Sequence, residues 1–131
     1  MTENKEGITL IIEGRPISKK NSRRWIWRGG KQFSVPSAAY EKYKGSAIKQ
    51  IDKQKKIQFD EAVEVHCDFY IQGKYKVDGD NLLSSIFDIL EDAGIIEDDG
   101  MILKGSFTKY PGSGGWGTKI KIMELRGKNA G

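Results

Sequence analysis

Histidine and cysteine are almost absent from this chain. Its 131 residues hold one cysteine, Cys67, and one histidine, His66. A lone cysteine excludes an internal disulfide framework and a cysteine-based zinc site. A lone histidine excludes a multi-histidine metal site within one chain. No apolar run approaches the ~20 residues of a membrane span. The opening segment, MTENKEG, lacks the basic-then-apolar pattern of a signal peptide. A cytoplasmic protein with no membrane partner is expected. Whatever hard chemistry occurs must use carboxylates, lysines or hydroxyls. With 37% hydrophobic and 31% charged residues the chain is polar but not disordered. Its length suits one domain, and neither an internal repeat nor a linker is visible.

Charge is present in quantity and is segregated. Residues 1–58 carry a local +9, residues 59–100 a local −10 and residues 101–131 a local +5. An acidic block between basic ones suggests a metal-binding centre inside a surface that attracts a polyanion, with nucleic acid the natural candidate. Cations are densest in Arg15, Lys19, Lys20, Arg23, Arg24, Arg28 and Lys31, and Trp25 and Trp27 lie among them. That mixture suits phosphate contact with base or sugar stacking. The bland alternative is a hairpin whose tryptophans pack on the body of the domain. The lysines at 42, 49, 53, 55 and 56 read mostly as a solvated flank.

Hydrophobic periodicity predicts the elements. Ile8 to Ile12 reads as a short strand, and residues 15–35 as a loop or hairpin turning at Gly29-Gly30. Ser37 is a candidate N-cap for a helix from Ala38 to about Lys53, with Tyr40, Tyr43, Ala47, Ile48 and Ile51 on one face. From Ala62 to Ile71 the period becomes two. Val63, Val65, Cys67, Phe69 and Ile71 point inward, and Glu64, His66, Asp68 and Tyr70 point outward. A second helix, about Asn81–Ala93, has Asp80 as candidate N-cap and Gly94 as its stop. Its apolar girth implies burial on more than one side, against a sheet or a partner subunit. Two strands, about Met101–Tyr110 and Trp116–Leu125, follow around a turn at 111–115, and residues 126–131 read as a frayed tail. The expected class is α+β: a single compact domain over 1–131, with a mixed sheet and two main helices.

The informative segment runs from Lys76 to Ile102. Asp78 and Asp80 sit two apart at a strand-to-helix junction, and Asp98 and Asp99 lie just before the next strand. Hard cations such as Mg²⁺ take oxygen ligands, usually one or two carboxylates with water and substrate phosphate. Metal-assisted phosphodiester hydrolysis uses that arrangement. Singly, Asp80 reads as a cap and Asp98-Asp99-Gly100 as a turn. An EF-hand reading of Asp78-Gly79-Asp80-Asn81 fails, because Leu82, Leu83 and Ile89 occupy positions that need glycine or oxygen.

The pattern D-x-D-N-L, an apolar helix with an internal Asp, then G-[I/V]-I-x-D-D resembles the RusA family of Holliday junction resolvases. Here it is carried by Asp78, Asp80, Asn81, Leu82, Asp88, Gly94, Ile96, Asp98 and Asp99. The likeness is strongest over about residues 76–104. A Pro-Ile-Ser-Lys-Lys-Asn-Ser-Arg loop, a helix carrying tyrosines and a final strand pair agree with it elsewhere. The resemblance implies a homodimeric, Mg²⁺- or Mn²⁺-dependent endodeoxyribonuclease that resolves four-way DNA junctions by paired nicks in recombination and repair. Such an enzyme would be cytoplasmic and nucleoid-associated, in a bacterium or encoded by a phage or prophage. Asp78, Asp80 and Asp99 would be its catalytic metal-binding acids, with Asp98 supporting them at the metal. Arg15, Lys19, Lys20, Arg23, Arg24, Arg28, Lys31, Lys76 and Lys104 would contact DNA. The family's lysine four residues after D-x-D is Ser84 in this chain. Either Lys76, Lys104 or another cation compensates, or the chain is a junction-binding protein with a weakened site. A third reading, an acidic interaction protein unrelated to DNA, runs against the basic stretch 15–31.

A straight helix over 81–93 is roughly 20 Å long. The return from Gly94 to Asp98 retraces at most about 13–14 Å. Asp80 and Asp99 of one chain therefore meet only if that return is nearly straight. A two-fold dimer with antiparallel helices would instead complete the site at or close to the dimer interface.

Overall fold

The computed structural model describes residues 7–19, 23–54 and 57–125. The chain runs β1 (Gly7–Glu13), β2 (Arg23–Arg28), β3 (Lys31–Pro36), α1 (Ala38–Asp52), β4 (Val63–Gln72), α2 (Gly79–Asp92), a 3-10 turn (Asp99–Met101), β5 (Ile102–Ser113) and β6 (Gly117–Glu124). The expected tail over 126–131 lies outside the described residues. No helix among those described is long and apolar enough to cross a membrane.

Four strands form one mixed sheet in the order β1-β6-β4-β5, and β2 and β3 form a separate two-stranded ribbon. β4 is parallel to β5 and antiparallel to β6. The last two strands are thus not the adjacent pair expected from the sequence. They flank β4 on opposite sides, so the segment after β5 passes across the end of β4 instead of closing a tight hairpin. A two-residue turn serves antiparallel neighbours, whereas parallel neighbours need a crossover, and α2 supplies it between β4 and β5.

One face of the sheet is apolar. Val63, Val65, Cys67, Phe69 and Ile71 of β4 are at most 2% exposed. Leu10 and Ile12 of β1 and Ile120 and Ile122 of β6 join the same core cluster. α1 packs against β1, α2 against β5, and the two helices touch. α1 begins where the sequence placed it, with the Ser37 hydroxyl accepting from the Tyr40 N–H. α2 begins earlier than expected, because its N-cap is Asp78 and not Asp80. Asp78 has the extended backbone a cap needs and its carboxylate accepts from the Asn81 N–H, while Asp80 is already inside the first turn. At the far end Gly94 adopts φ 80°. The Gly94 and Ile95 N–H groups then return to the Glu91 and Leu90 carbonyls at 3.1 and 3.0 Å, a Schellman stop.

The apolar girth of α2 is satisfied largely within one protomer. Leu82, Ile86, Ile89 and Leu90 enter the core, and Leu83 and Phe87 pack half-buried on its flank. Two glycines permit this close approach. A Cβ on Gly105 would meet the Phe87 ring at 2.7 Å, and one on Gly79 would overlap the Phe107 ring.

The edge of β1 is covered from α1. Ile11 exchanges two hydrogen bonds with the Gln54 amide at 2.8 and 2.7 Å, and Glu13 does the same with Gln50 at 2.7 and 3.1 Å. Each primary amide takes the part of a strand's peptide group and blunts an edge that would otherwise invite pairing.

Asp68, expected on the solvent side, is only 4% exposed. β4 is flanked on both sides, so outward side chains are shielded by their neighbours. His66 Nε2 lies 2.9 Å from the Asp68 carboxylate and Lys121 Nζ 3.6 Å from it. The other His66 ring nitrogen meets the Ser106 hydroxyl at 2.7 Å, so His66 is the inter-strand residue its position suggested.

Asp88 is the polar counterpart of the core between the helices. Its carboxylate accepts from the Tyr40 hydroxyl at 2.6 Å and lies 3.6 Å from both Lys19 and Lys44. Burial pushes the Asp88 carboxyl up, but the Tyr40 hydrogen bond and the Lys44 and Lys19 ammonium groups outweigh burial and hold it below its ordinary value. A carboxyl depressed by folding adds stability that is fully present above its unfolded value and lost as pH falls through the lower folded one.

Two outcomes follow from this packing. Gly79→Ala should destabilise the domain by about 1–3 kcal/mol through overpacking against Phe107. Urea denaturation will measure it, and an unchanged midpoint would refute the close approach. Asp88→Asn should flatten the loss of stability that wild type shows below about pH 4. Denaturation midpoints across the acid range test this, and an identical acid limb in both proteins would show that Asp88 is not a source of it.

Candidate active site

Four of the expected acids sit where two elements begin. Asp78 and Asp80 follow the C-terminal end of β4, and Asp98 and Asp99 precede the N-terminal end of β5. Asp78 is clamped by its neighbour: one oxygen takes the Asn81 N–H at 3.2 Å and the other takes the Asn81 side-chain amide at 3.0 Å. Asp98 caps the 3-10 turn by accepting from the Gly100 N–H. All four side chains are exposed. They supply hard oxygen donors of the kind a divalent ion prefers.

The fold brings each pair together but not the two pairs. β4 and β5 are parallel, so the end of one and the start of the other lie at opposite ends of the sheet. α2 spans the gap, about 21 Å for its 14 residues. Among the described residues, no group of three or more histidine, cysteine or acidic side chains is close enough to hold a metal ion. Each end of the helix therefore carries one acidic pair, separated from the other by the length of α2.

Cations gather at the Asp78 end. A cleft of ≈ 240 Å³ is lined by Arg15, Ser18, Lys76 and Asp78, with Pro16, Ile17, Val77 and Leu82 as its apolar wall. Arg15 is steadied there by two rings, its guanidinium carbon 4.9 Å from the centre of Tyr75 and 4.8 Å from that of Trp116. Loop 15–19 is anchored to α2 where the Lys19 N–H donates to the Ser85 hydroxyl at 2.8 Å. The expected contact residues therefore separate by place. Arg15 and Lys76 line the same cleft as Asp78, and Lys19 is held by Asp88 of α2. Lys104 lies at the opposite end, near Asp98 and Asp99 in sequence, and faces Glu64 at 3.7 Å. Arg24, Arg28 and Lys31 are exposed on the β2–β3 ribbon, and Arg23 opens β2. Lys20 lies outside the described residues.

Lys109 was missed by sequence reasoning. Its ammonium donates to the Val77 carbonyl at 3.0 Å, one residue from Asp78. Thirty-odd residues separate them in the chain, and only the β4–β5 register, which pairs Phe69 with Lys109, carries the lysine to this corner. No local pattern could have signalled it. Ser84 is exposed on α2, one turn beyond Asp80 on the same face. Positive charge near the first acidic pair thus comes from Arg15, Lys76 and Lys109, not from position 84. The tryptophans do not pack on the body: Trp25 is 65% and Trp27 71% exposed.

The sequence profile described as Endodeoxyribonuclease RusA matches residues 13–123, which includes both acidic pairs, loop 15–19, both helices and every strand except β1, of which it reaches only Glu13, and the last residue of β6. The chain is also similar to a protein of Aquifex aeolicus (strain VF5) named crossover junction endodeoxyribonuclease RusA, 32% identical over 128 residues that cover 96% of this chain and 98% of that one. With the match running over nearly the whole of both sequences and through both acidic pairs, this chain belongs to the RusA family of endodeoxyribonucleases.

Proposed function

We propose that the protein resolves four-way DNA junctions as a homodimer, in recombination and repair, using Mg²⁺ or Mn²⁺ to cut opposed strands. The observation that carries this reading is the separation of two acidic pairs by the length of α2 in a member of a nuclease family. A two-fold axis that sets two α2 helices antiparallel would bring the Asp78/Asp80 end of one protomer to the Asp98/Asp99 end of the other. Two identical sites would result, one for each of two opposed strands of a junction.

Asp78, Asp80 and Asp99 would hold the ion, with Asp98 in support. When bound, a divalent ion polarises the phosphoryl oxygen and lowers the pKa of a ligated water. The chain's own residues do the rest. Asn81 fixes both oxygens of Asp78 before any ligand arrives, so that carboxylate need not be ordered on binding. Arg15, Lys76 and Lys109 face the phosphodiester with positive charge that does not depend on residue 84. Arg24, Arg28 and Lys31 extend the basic surface away from the site, so binding should weaken steeply with salt. Such a protein would work in the cytoplasm, on the nucleoid of a bacterium or on phage DNA.

Ser84 supports a second reading, junction binding with weak cleavage, because it places no charge one turn from Asp80. A Mg²⁺-dependent nicking assay on a synthetic four-way junction separates the two. Under the first reading Asp80→Asn loses at least about 100-fold in cleavage while junction binding persists. Binding without nicking in wild type would establish the second reading instead.

Mixing variants tests the shared site. Asp80→Asn and Asp99→Asn dimers should each be inactive. In a mixed dimer one site carries both substitutions and the other carries neither. Mixed at equal amounts under exchange, the two proteins should recover roughly a quarter of wild-type sites, seen as single nicks instead of paired ones. No recovery from a demonstrated mixed dimer would mean that each site is built within one protomer.

A further inference from the structure

We propose that the β2–β3 ribbon is a base-stacking site, with the Trp25 and Trp27 indoles taking unpaired bases of single-stranded DNA. It rests on the endonuclease reading only for the source of those bases, the opened branch point of a junction. Trp25 and Trp27 stand two residues apart on β2 and so share one face of the ribbon. They oppose Ser34 and Gln32, both small or slender partners that leave the rings clear. Their exposure, 65% and 71%, exceeds that of most other large apolar side chains among the described residues. The ribbon belongs to no other sheet, and its tight turn uses two glycines in the left-handed region, Gly29 at φ 60° and Gly30 at φ 78°. Two large rings left in water do nothing for folding, so their place on a projecting ribbon calls for a ligand.

The chemistry of that ligand can be read from the surroundings. Residues 15–40 contain no acid, and Arg24, Arg28 and Lys31 lie on the ribbon itself. A polyanion is therefore favoured over an apolar protein face. Residues i and i+2 of a strand are about 6.7 Å apart. That is twice the ~3.4 Å spacing of successive bases along a strand. A slot of this width between two rings admits one base, with flanking bases on the outer ring faces. Bases inside a duplex present no free ring face, so the ribbon would discriminate for unpaired DNA.

The test measures anisotropy with labelled oligothymidylate, a duplex and a four-way junction, using wild type, Trp25→Ala/Trp27→Ala and Trp25→Phe/Trp27→Phe. The alanine protein should bind oligothymidylate about 10- to 100-fold more weakly, with duplex affinity nearly unchanged and solution mass unaltered. The phenylalanine protein should keep most of the affinity, because a ring remains. Equal binding of oligothymidylate by the alanine protein and wild type would overturn the proposal. So would a smaller solution mass in the alanine protein, which would make this face a contact with a second copy. Junction cleavage is scored separately. A wild type that binds oligothymidylate through its tryptophans but never nicks a junction would sink the endonuclease reading and leave this one standing.

Discussion

The parallel pairing of β4 with β5 governs everything else in this molecule. Parallel neighbours require a crossover, and α2 is that crossover. Its helix must run the length of the sheet before the chain can begin β5. Functional groups at the two junctions, β4 to α2 and α2 to β5, are therefore held at opposite ends of a rigid rod. The same pairing that makes the core keeps the Asp78/Asp80 pair and the Asp98/Asp99 pair apart among the described residues. The consequence reaches from backbone hydrogen bonding to the placement of the two acidic pairs at opposite ends of α2.

The rod is positioned by several small devices acting together. Gly79 and Gly105 let it lie close on β5, with the Phe107 and Phe87 rings filling the space their side chains would occupy. The Asp78 cap and the Gly94 stop satisfy its ends. Asp88, buried part-way between α1, α2 and loop 15–19, joins three segments through one hydroxyl and two ammonium groups. Together with the Lys19–Ser85 hydrogen bond, these contacts hold loop 15–19 against α2 near Asp78. The capping of β1 by Gln50 and Gln54 has a similar logic, since it closes one edge of the sheet with side chains, while among the described residues no strand pairs with the outer edge of β5.

Burial and aromatic exposure are allotted to different parts of the chain. The four-stranded sheet and its two helices bury the large aliphatic residues, while the β2–β3 ribbon keeps its two tryptophans in water. An isolated two-stranded ribbon is marginally stable by itself. Here it is continuous with a stable body, and its aromatic faces and cations lie outside the core cluster.

Much was legible from residue order alone. Period-two alternation in 63–71 marked β4 and its buried Cys67, and helical spacing with Ser37 and Gly94 marked both helices, because these signals are local and recur every two or four residues. The two acidic pairs were also legible, and the constant rise of a helix already set how far apart the two junctions must lie. Tertiary structure alone decided the rest. The capping role passed from Asp80 to Asp78 because backbone geometry at a junction depends on how the preceding strand ends. The final strands parted around β4, Asp68 was buried on the outward face, and Lys109 arrived beside Asp78. Each of these depends on which strands become neighbours, a choice set by the pairing of distant backbone groups that leaves no periodic trace in the chain.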